Sequence, residues 1–389
     1  MTRFGLLASG DDEGGRSTPG LNLGRVLVTH DWIAAWGGAE RALGEILALV
    51  GTSDVVIGVL WPEVARQHSI VERARETWLA HLPLARRNYQ WFLPLEAAAF
   101  WTLDTSGYDI VISSSHAFSK AAGPGRLGIH LSYCYSPPRY VWDLHDTYAA
   151  RTTLWRRAAL LVGRRPMQVL DRVCANRVTH FVAISAFVAT RIQRAYGRRA
   201  RVVYPPVHVH QAPGAVTRAR RDDFLLYLGR LVPYKRVELL ILAGQRLNKR
   251  VVIAGDGPDR GRLERFAGRG VEFLGRVSDA EAARLLDTCA AFVFCAEEDF
   301  GIAPLEANAH GAPVVAFRGG GALETMVDGV TAVLFDEPTP EAVALAISRA
   351  LTVSWDGDKL LANALRFSPE RFRDEFRNVL VAALDGERW

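Results

Sequence analysis

The chain has 389 residues, too many for a single hydrophobic core, so two domains are expected. Its 49% hydrophobic and 23% charged residues, net charge of +5 and isoelectric point near 9.1 describe an ordinary globular protein. The modest basicity fits anionic small molecules, membrane surfaces or nucleic acid without choosing among them. No apolar run approaches the roughly 18 residues a membrane span requires. The four cysteines, Cys134, Cys174, Cys289 and Cys295, form neither a C-x-x-C pair nor a zinc-type cluster, which argues against such a metal site and fits reduced thiols in the cytosol.

Residues 1–22, rich in Gly, Asp and Ser and without a signal-peptide apolar region, read as a mobile leader. A first strand is expected at Arg25–His30, followed by a loop carrying Gly37 and Gly38 and an amphipathic helical run from Glu40 to Val50. Further apolar strands are expected at Asp54–Leu60, Tyr108–Ser113, His130–Tyr135 and His180–Ile184, with helical stretches between them. Tyr204-Pro-Pro-Val207 ends the pattern, and the polar stretch Gln211 to Asp223 reads as an interdomain linker. A second series follows at Phe224–Gly229, Arg250–Ala254, Val271–Leu274, Ala291–Cys295, Pro313–Phe317 and Ala332–Leu334. Such alternation predicts an α/β protein of two Rossmann-like domains facing across a cleft, 23–207 and 208–364. Residues 365–389 hold a terminal helix with Ser368 as N-cap and Pro369 at its first position.

Glu298 and Glu306 stand eight residues apart around Phe300-Gly301. The apolar run before them predicts a buried strand, which puts Glu298 on a strand-to-helix loop facing the ligand crevice of an open parallel sheet. Pro304 suits a first helical turn, and Glu306 is placed in that same turn, where free N–H groups attract phosphate. Either carboxylate alone reads as a solvated or dipole-complementing group. Together they suit a polyhydroxylated, anionic ligand.

Around this segment stand Tyr227-Leu-Gly-Arg-Leu-Val-Pro-Tyr-Lys235, Val251-Val-Ile-Ala-Gly-Asp-Gly-Pro258, Val271-Glu-Phe-Leu-Gly-Arg-Val277 and Gly311-Ala-Pro-Val-Val315. In that order they resemble the C-terminal half of the retaining nucleotide-sugar glycosyltransferases of the GT-B fold, glycosyltransferase family 4 (group 1), whose signature is E-x7-E. Gly37-Gly-Ala-Glu40, Ile112-Ser-Ser-Ser-His116 and Ser136-Pro-Pro-Arg-Tyr-Val-Trp-Asp143 look like its GDP-mannose-dependent α-mannosyltransferase branch. The resemblance implies a catalytic set of Glu298, His116, Arg230 and Lys235. In it Glu298 grips the donor sugar beside the backbone N–H groups of Phe300, Gly301 and Ile302, and His116 hydrogen-bonds the sugar from the other domain. Arg230 and Lys235 clamp the diphosphate, Glu306 takes the ribose, and the backbone near Val277 meets the base. Gly37 and Gly38 present amides to the diphosphate or the acceptor, and Arg139, Tyr140 and Asp143 form the acceptor side. The terminal helix would cross back onto the N-terminal domain.

Fixed cations on the leaving diphosphate replace a metal in this scheme, so metal-independent activity without a cofactor is expected. The one Asp-x-Asp triplet, Asp356-Gly-Asp358, reads as a turn. Gly319-Gly-Gly321 reads as backbone approaching a ligand closely, and Gly255-Asp-Gly257 as a tight turn. No carboxylate of the N-terminal half stands out as a nucleophile, which favours front-face substitution with retention. Two clusters, Arg151 to Arg177 and Trp78 to Trp101, mix arginines with aromatic and aliphatic residues as an anionic leaflet would require. The expected partners are a nucleotide-sugar donor, a polyprenyl-diphosphate-linked oligosaccharide acceptor and that membrane surface; no reading motif for nucleic acid is present. The expected location is the cytoplasm, at the inner face of the plasma membrane where the clusters make contact. A UDP-sugar-dependent transferase, a GT-B nucleotide-sugar epimerase and a non-catalytic sugar-nucleotide-binding module are the rival readings.

Overall fold

Near-continuous apolar runs such as Phe292-Val-Phe294 are what a strand needs when helices cover both its faces, and the central strands of both sheets form on that basis; thirteen strands lie among the described residues. The computed structural model describes residues 23–389 apart from 52, 69–70, 72–73, 90–91, 144–153 and 210–220. The expected leader and most of the expected linker therefore lie outside the described residues.

In the N-terminal lobe, β1 (Val26–Ile33), β2 (Ser53–Leu60), β3 (Arg75–Glu76), β4 (Ile110–Ser115), β5 (Ile129–Cys134), β6 (His180–Ala183) and β7 (Ala200–Val202) form a parallel sheet of order β3-β2-β1-β4-β5-β6-β7. In the C-terminal lobe, β8 (Phe224–Leu228), β9 (Arg250–Ala254), β10 (Val271–Gly275), β11 (Ala291–Phe294), β12 (Val314–Phe317) and β13 (Ala332–Phe335) repeat the scheme as β10-β9-β8-β11-β12-β13. Both are doubly wound Rossmann-like sheets, and strand order reverses at β1/β4 and at β8/β11, the switch points where such sheets bind ligands. The short outer strands β3 and β7 carry no apolar run and are not legible in the sequence.

The terminal helix Pro369–Leu384 begins at Ser368, whose hydroxyl accepts the Arg371 N–H. It packs Phe372 and Phe376 edge-on against Tyr133 of β5, with centroids 5.6 Å apart in both contacts. Arg373 pairs with Glu45 of the helix Gly38–Val50. The incoming and outgoing connections between the lobes also meet, through a Val207 N–H to Phe367 carbonyl bond of 2.8 Å.

His130 of β5 is fully buried. Its Nδ1 faces the Arg177 carbonyl at 3.2 Å, which can only accept, so Nδ1 carries the hydrogen and Nε2 accepts from the Ser113 hydroxyl at 2.9 Å. Burial pushes its pKa down to about 4, against an ordinary value of 6.5. With the folded value depressed, the stabilisation is complete above pH 6.5 and is lost as pH falls, because the unfolded chain takes up a proton that the folded one refuses. Chemical denaturation between pH 7 and 4 is expected to show a loss of about 3 kcal/mol from this group, and His130→Gln should flatten that part of the profile.

Candidate functional site

A cavity of about 1160 Å³ opens between the carboxyl ends of the two sheets. Its N-terminal wall includes Trp32, His116, Tyr135, Arg139 and Tyr140, and its C-terminal wall includes Lys235, Asp259, Arg262, Glu298 and the segment Asp299–Ala303.

On the N-terminal side the organising group is Asp31, at the end of β1 and fully buried. One carboxylate oxygen accepts the N–H groups of His116 at 2.6 Å and Ala117 at 2.9 Å, and the other accepts that of Ser119 at 2.5 Å. These amides belong to the loop after β4, so Asp31 stitches the two switch-point strands together where His116 enters the cavity. Burial pushes the Asp31 carboxyl up, but His116, His30 and the amides outweigh it and hold it below its ordinary value. The His116 Nδ1 lies 3.3 Å from Asp31, and its ring packs edge-on against Trp32 with centroids 4.4 Å apart. Burial pushes His116 below the ordinary histidine value, with Asp31 opposing part of that shift. The same loop is anchored from beneath by the buried pair of Lys120 and Asp171, 2.7 Å apart.

A second buried chain fixes the glycine turn. The Tyr135 hydroxyl donates to the Ala39 carbonyl at 2.7 Å, so it accepts from Ser114 at 2.8 Å, and Ser114 accepts from His30 Nδ1 at 2.9 Å. Gly37 caps the helix Gly38–Val50, and its N–H is bonded to Glu40 at 2.9 Å. That amide is thus taken within the turn, where the sequence reading offers it to a ligand. At Gly38, a Cβ would lie 2.3 Å from the Ile302 side chain of the opposite lobe.

On the C-terminal side, Lys235 ends the 3-10 turn Pro233–Lys235 after β8, and its ammonium pairs with Glu298. Both groups therefore stand together on the cavity wall. Phe300 is buried against Tyr204 and Phe367, with centroids 5.8 and 5.4 Å away. Gly301, at φ 90°, makes the left-handed step that starts the helix Ile302–Ala309, a conformation that favours glycine. Because the helix starts at Ile302, Glu306 lies past its first turn, which corrects the sequence placement. Its carboxylate is held by Arg41 of the N-terminal lobe at 2.6 Å rather than turned onto the cavity wall.

Other expected site residues separate. Arg230 is exposed and Val277 packs against the core; neither lines the cavity. Arg139 and Tyr140 do line it. Asp143 does not, and it pairs with Arg191 instead. Asp356, expected in a turn, caps the helix Gly357–Leu365 by accepting the N–H groups of Asp358 and Lys359.

The glycine runs have protein neighbours. A Cβ on Gly321 would sit 2.3 Å from the Phe300 Cα, and one on Gly320, at φ 59°, 2.2 Å from the Glu298 carbonyl, which accepts the Gly321 N–H at 2.8 Å. Gly319–Gly321 thus cradles the Glu298 loop from behind, where the sequence reading has it approach a ligand. Gly255 and Gly257 likewise pack against the backbone of Gly229 and Leu231.

Sequence reasoning missed Asp31, Trp32, Arg41, Arg191, Arg262 and Asp299. Asp299 sits inside the Glu298-to-Glu306 motif and Arg41 directly follows Gly37-Gly-Ala-Glu40, so adjacency was the available signal for both. Asp31, Trp32 and Arg191 carry no local signal, because their partners lie elsewhere in the chain; Arg262 pairs with Asp259, three residues away, in a spacing that reads as an ordinary surface pair.

A two-lobed fold with a cleft at paired switch points defines the GT-B class, and the comparisons agree. Residues 213–364 match the family model for glycosyl transferases group 1. The D-inositol 3-phosphate glycosyltransferase of Geodermatophilus obscurus is 35% identical over 286 residues, 63% of this chain and 62% of that protein. The GDP-mannose-dependent alpha-(1-6)-phosphatidylinositol monomannoside mannosyltransferase of Mycolicibacterium smegmatis is 30% identical over 197 residues, 43% of this chain and 52% of that one. These matches span between about half and three fifths of the relatives' lengths. Anabaena HepE, solved in complex with UDP-glucose, superposes with a TM-score of 0.67 at 18% identity, over 92% of this chain and 99% of that one, which establishes the fold.

Replacing Gly321 by Ala forces the Glu298 loop away from its cradle. The substitution is expected to cost about 2 kcal/mol, read as a lower thermal midpoint, and to weaken binding of any ligand held by Glu298.

Proposed function

We propose that this protein is a retaining, metal-independent hexosyltransferase that moves mannose from GDP-mannose onto a polyprenyl-diphosphate-linked oligosaccharide in polysaccharide synthesis. The observation that carries the reading is the meeting of Lys235 and Glu298 on the wall of a switch-point cleft. The cation would meet the leaving diphosphate as it gathers charge, and the carboxylate would accept from sugar hydroxyls. The two groups pair with each other; a donor would take both, phosphate on the ammonium and hydroxyls on the carboxylate. His116, held by Asp31, would hydrogen-bond the sugar from the facing lobe. The leaving phosphate oxygen would take the acceptor's proton as the new bond forms on the same face. The choice of mannose follows the Mycolicibacterium relative; a UDP-sugar is the second reading, favoured by the likeness to HepE, which was solved with UDP-glucose.

A thermal-shift panel of GDP, UDP, ADP and their sugars separates the readings, since a ligand that binds only the folded state raises the midpoint. GDP-mannose should give the largest shift, undiminished in EDTA; a larger shift with a UDP-sugar moves the assignment to that donor, and no shift with any of them sinks the reading. Glu298→Ala is expected to lower turnover by about two orders of magnitude or more, and Lys235→Ala to weaken donor binding as well.

The acceptor's lipid would stay in the bilayer, so the protein would work at the inner face of the plasma membrane. Trp78, Trp101, Val162 and Val169 are exposed, with Arg165 and Arg172 three residues after the valines, and would make that contact. The part of the basic cluster before Val162 lies outside the residues whose side chains are described. No helix among the described residues is long and apolar enough to cross a membrane. Sedimentation with anionic liposomes should carry the protein into the pellet; equal recovery in the supernatant with and without vesicles defeats the membrane contact.

A further inference from the structure

Asp299, directly after Glu298, makes contacts that donor chemistry does not require. Its side chain is directed at the N-terminal lobe, where it pairs with Arg191 of the helix Ala186–Tyr196 and stands 3.6 Å from the Arg139 guanidinium. Its carbonyl accepts the Ser185 hydroxyl at 2.6 Å, and the Glu297 carbonyl accepts from Arg139 at 3.1 Å. Arg139 also lies over the Tyr234 ring, 4.7 Å from its centroid, and so reaches the residue next to Lys235. The C-terminal lobe returns the contact at Glu324, whose two oxygens accept the first N–H groups of the same helix, Ala186 at 2.7 Å and Phe187 at 2.8 Å. That is where a carboxylate complements the helix dipole. Two acids of one lobe therefore hold one helix of the other, and Arg139 touches both loops that carry the proposed donor grip.

We propose that Asp299 is a positioning residue that couples closure of the lobes to the alignment of Glu298: the donor sugar is gripped only while Arg191 and Arg139 of the facing lobe hold the Glu297–Asp299 segment. At Asp299 there is little solvent to replace a lost partner, since the side chains of Arg191 and Asp299 are 6% and 16% exposed; Arg191 also holds the more exposed Asp143, so the loss of charge at Asp299 falls on the Glu297–Asp299 segment rather than on Arg191. Its directed bonds to carbonyls fix the backbone as well as the side chains. With the clamp open, Glu298 remains on its loop, but its carboxylate is no longer set against the sugar.

The test, which rests on Glu298 being the sugar-gripping group, compares wild type with Asp299→Asn, of the same shape without the charge, and Arg191→Lys, which keeps the charge without the fork. Four quantities are read: affinity for the bare nucleoside diphosphate, affinity for the nucleotide sugar, kcat, and amide exchange over residues 186–191 and 297–302. Asp299→Asn should leave the bare diphosphate within about two-fold, remove about ten-fold of the sugar's added affinity and lower kcat by about 10- to 100-fold. Exchange should quicken in both segments, and Arg191→Lys should fall between. Unchanged kcat and sugar discrimination in Asp299→Asn overturn the proposal. So does a uniform loss that includes diphosphate binding and a lowered thermal midpoint, which marks a merely structural role. If the wild type binds no nucleotide sugar, the donor reading fails separately. The exchange measurement then decides the clamp alone: faster exchange in Asp299→Asn sustains it and unaltered exchange refutes it.

Discussion

Three consecutive acids, Glu297, Glu298 and Asp299, follow β11 at the rim of the cleft; Glu298 and Asp299 are half-buried on its wall, and the carbonyls of all three and the carboxylates of those two find protein partners. That pairing organises the site. Gly321 takes the Glu298 carbonyl, Ser185 the Asp299 carbonyl, Arg139 the Glu297 carbonyl, Arg191 the Asp299 carboxylate and Lys235 the Glu298 carboxylate. Three of these five partners come from the other lobe. An open arrangement of the same chain would expose the loop's polar groups to water, where partners are plentiful; in the arrangement seen, these protein partners take water's place.

The N-terminal lobe meets the same problem with opposite means. There Asp31 gathers three backbone amides, and the chain from His30 through Ser114 and Tyr135 to the Ala39 carbonyl gives each hydroxyl a single direction. A carboxylate that accepts from backbone N–H groups fixes a loop without a counter-cation, and His116 inherits its orientation from that loop. One wall of the cleft is thus set by charge pairs across the lobes, and the facing wall by charge-to-amide bonds within one lobe.

Much of this was legible in the chain. The central strands could be read because burial on both faces leaves unbroken apolar runs, and Glu298 and Lys235 because they sit on loops between such a run and a helical pattern. The starting point of one helix was misjudged by taking Pro304 as the marker, when Gly301 sets it at Ile302; that error moved Glu306 into the wrong turn. What stayed hidden depends on pairs far apart in sequence: Arg41 with Glu306, 265 residues away, and Arg191 with Asp299, 108 residues away. No local pattern encodes such a pair, because each partner alone reads as a solvated charge.

The docking of the helix Pro369–Leu384 also bears on how the protein is made. Tyr133, fully buried beneath Phe372 and Phe376, belongs to a sheet that leaves the ribosome long before its cover does. During translation the first lobe can pair its strands but must wait, with an aromatic flank bare, for the helix Pro369–Leu384 to emerge. That interval is when this polypeptide would be most open to chaperone capture or to self-association.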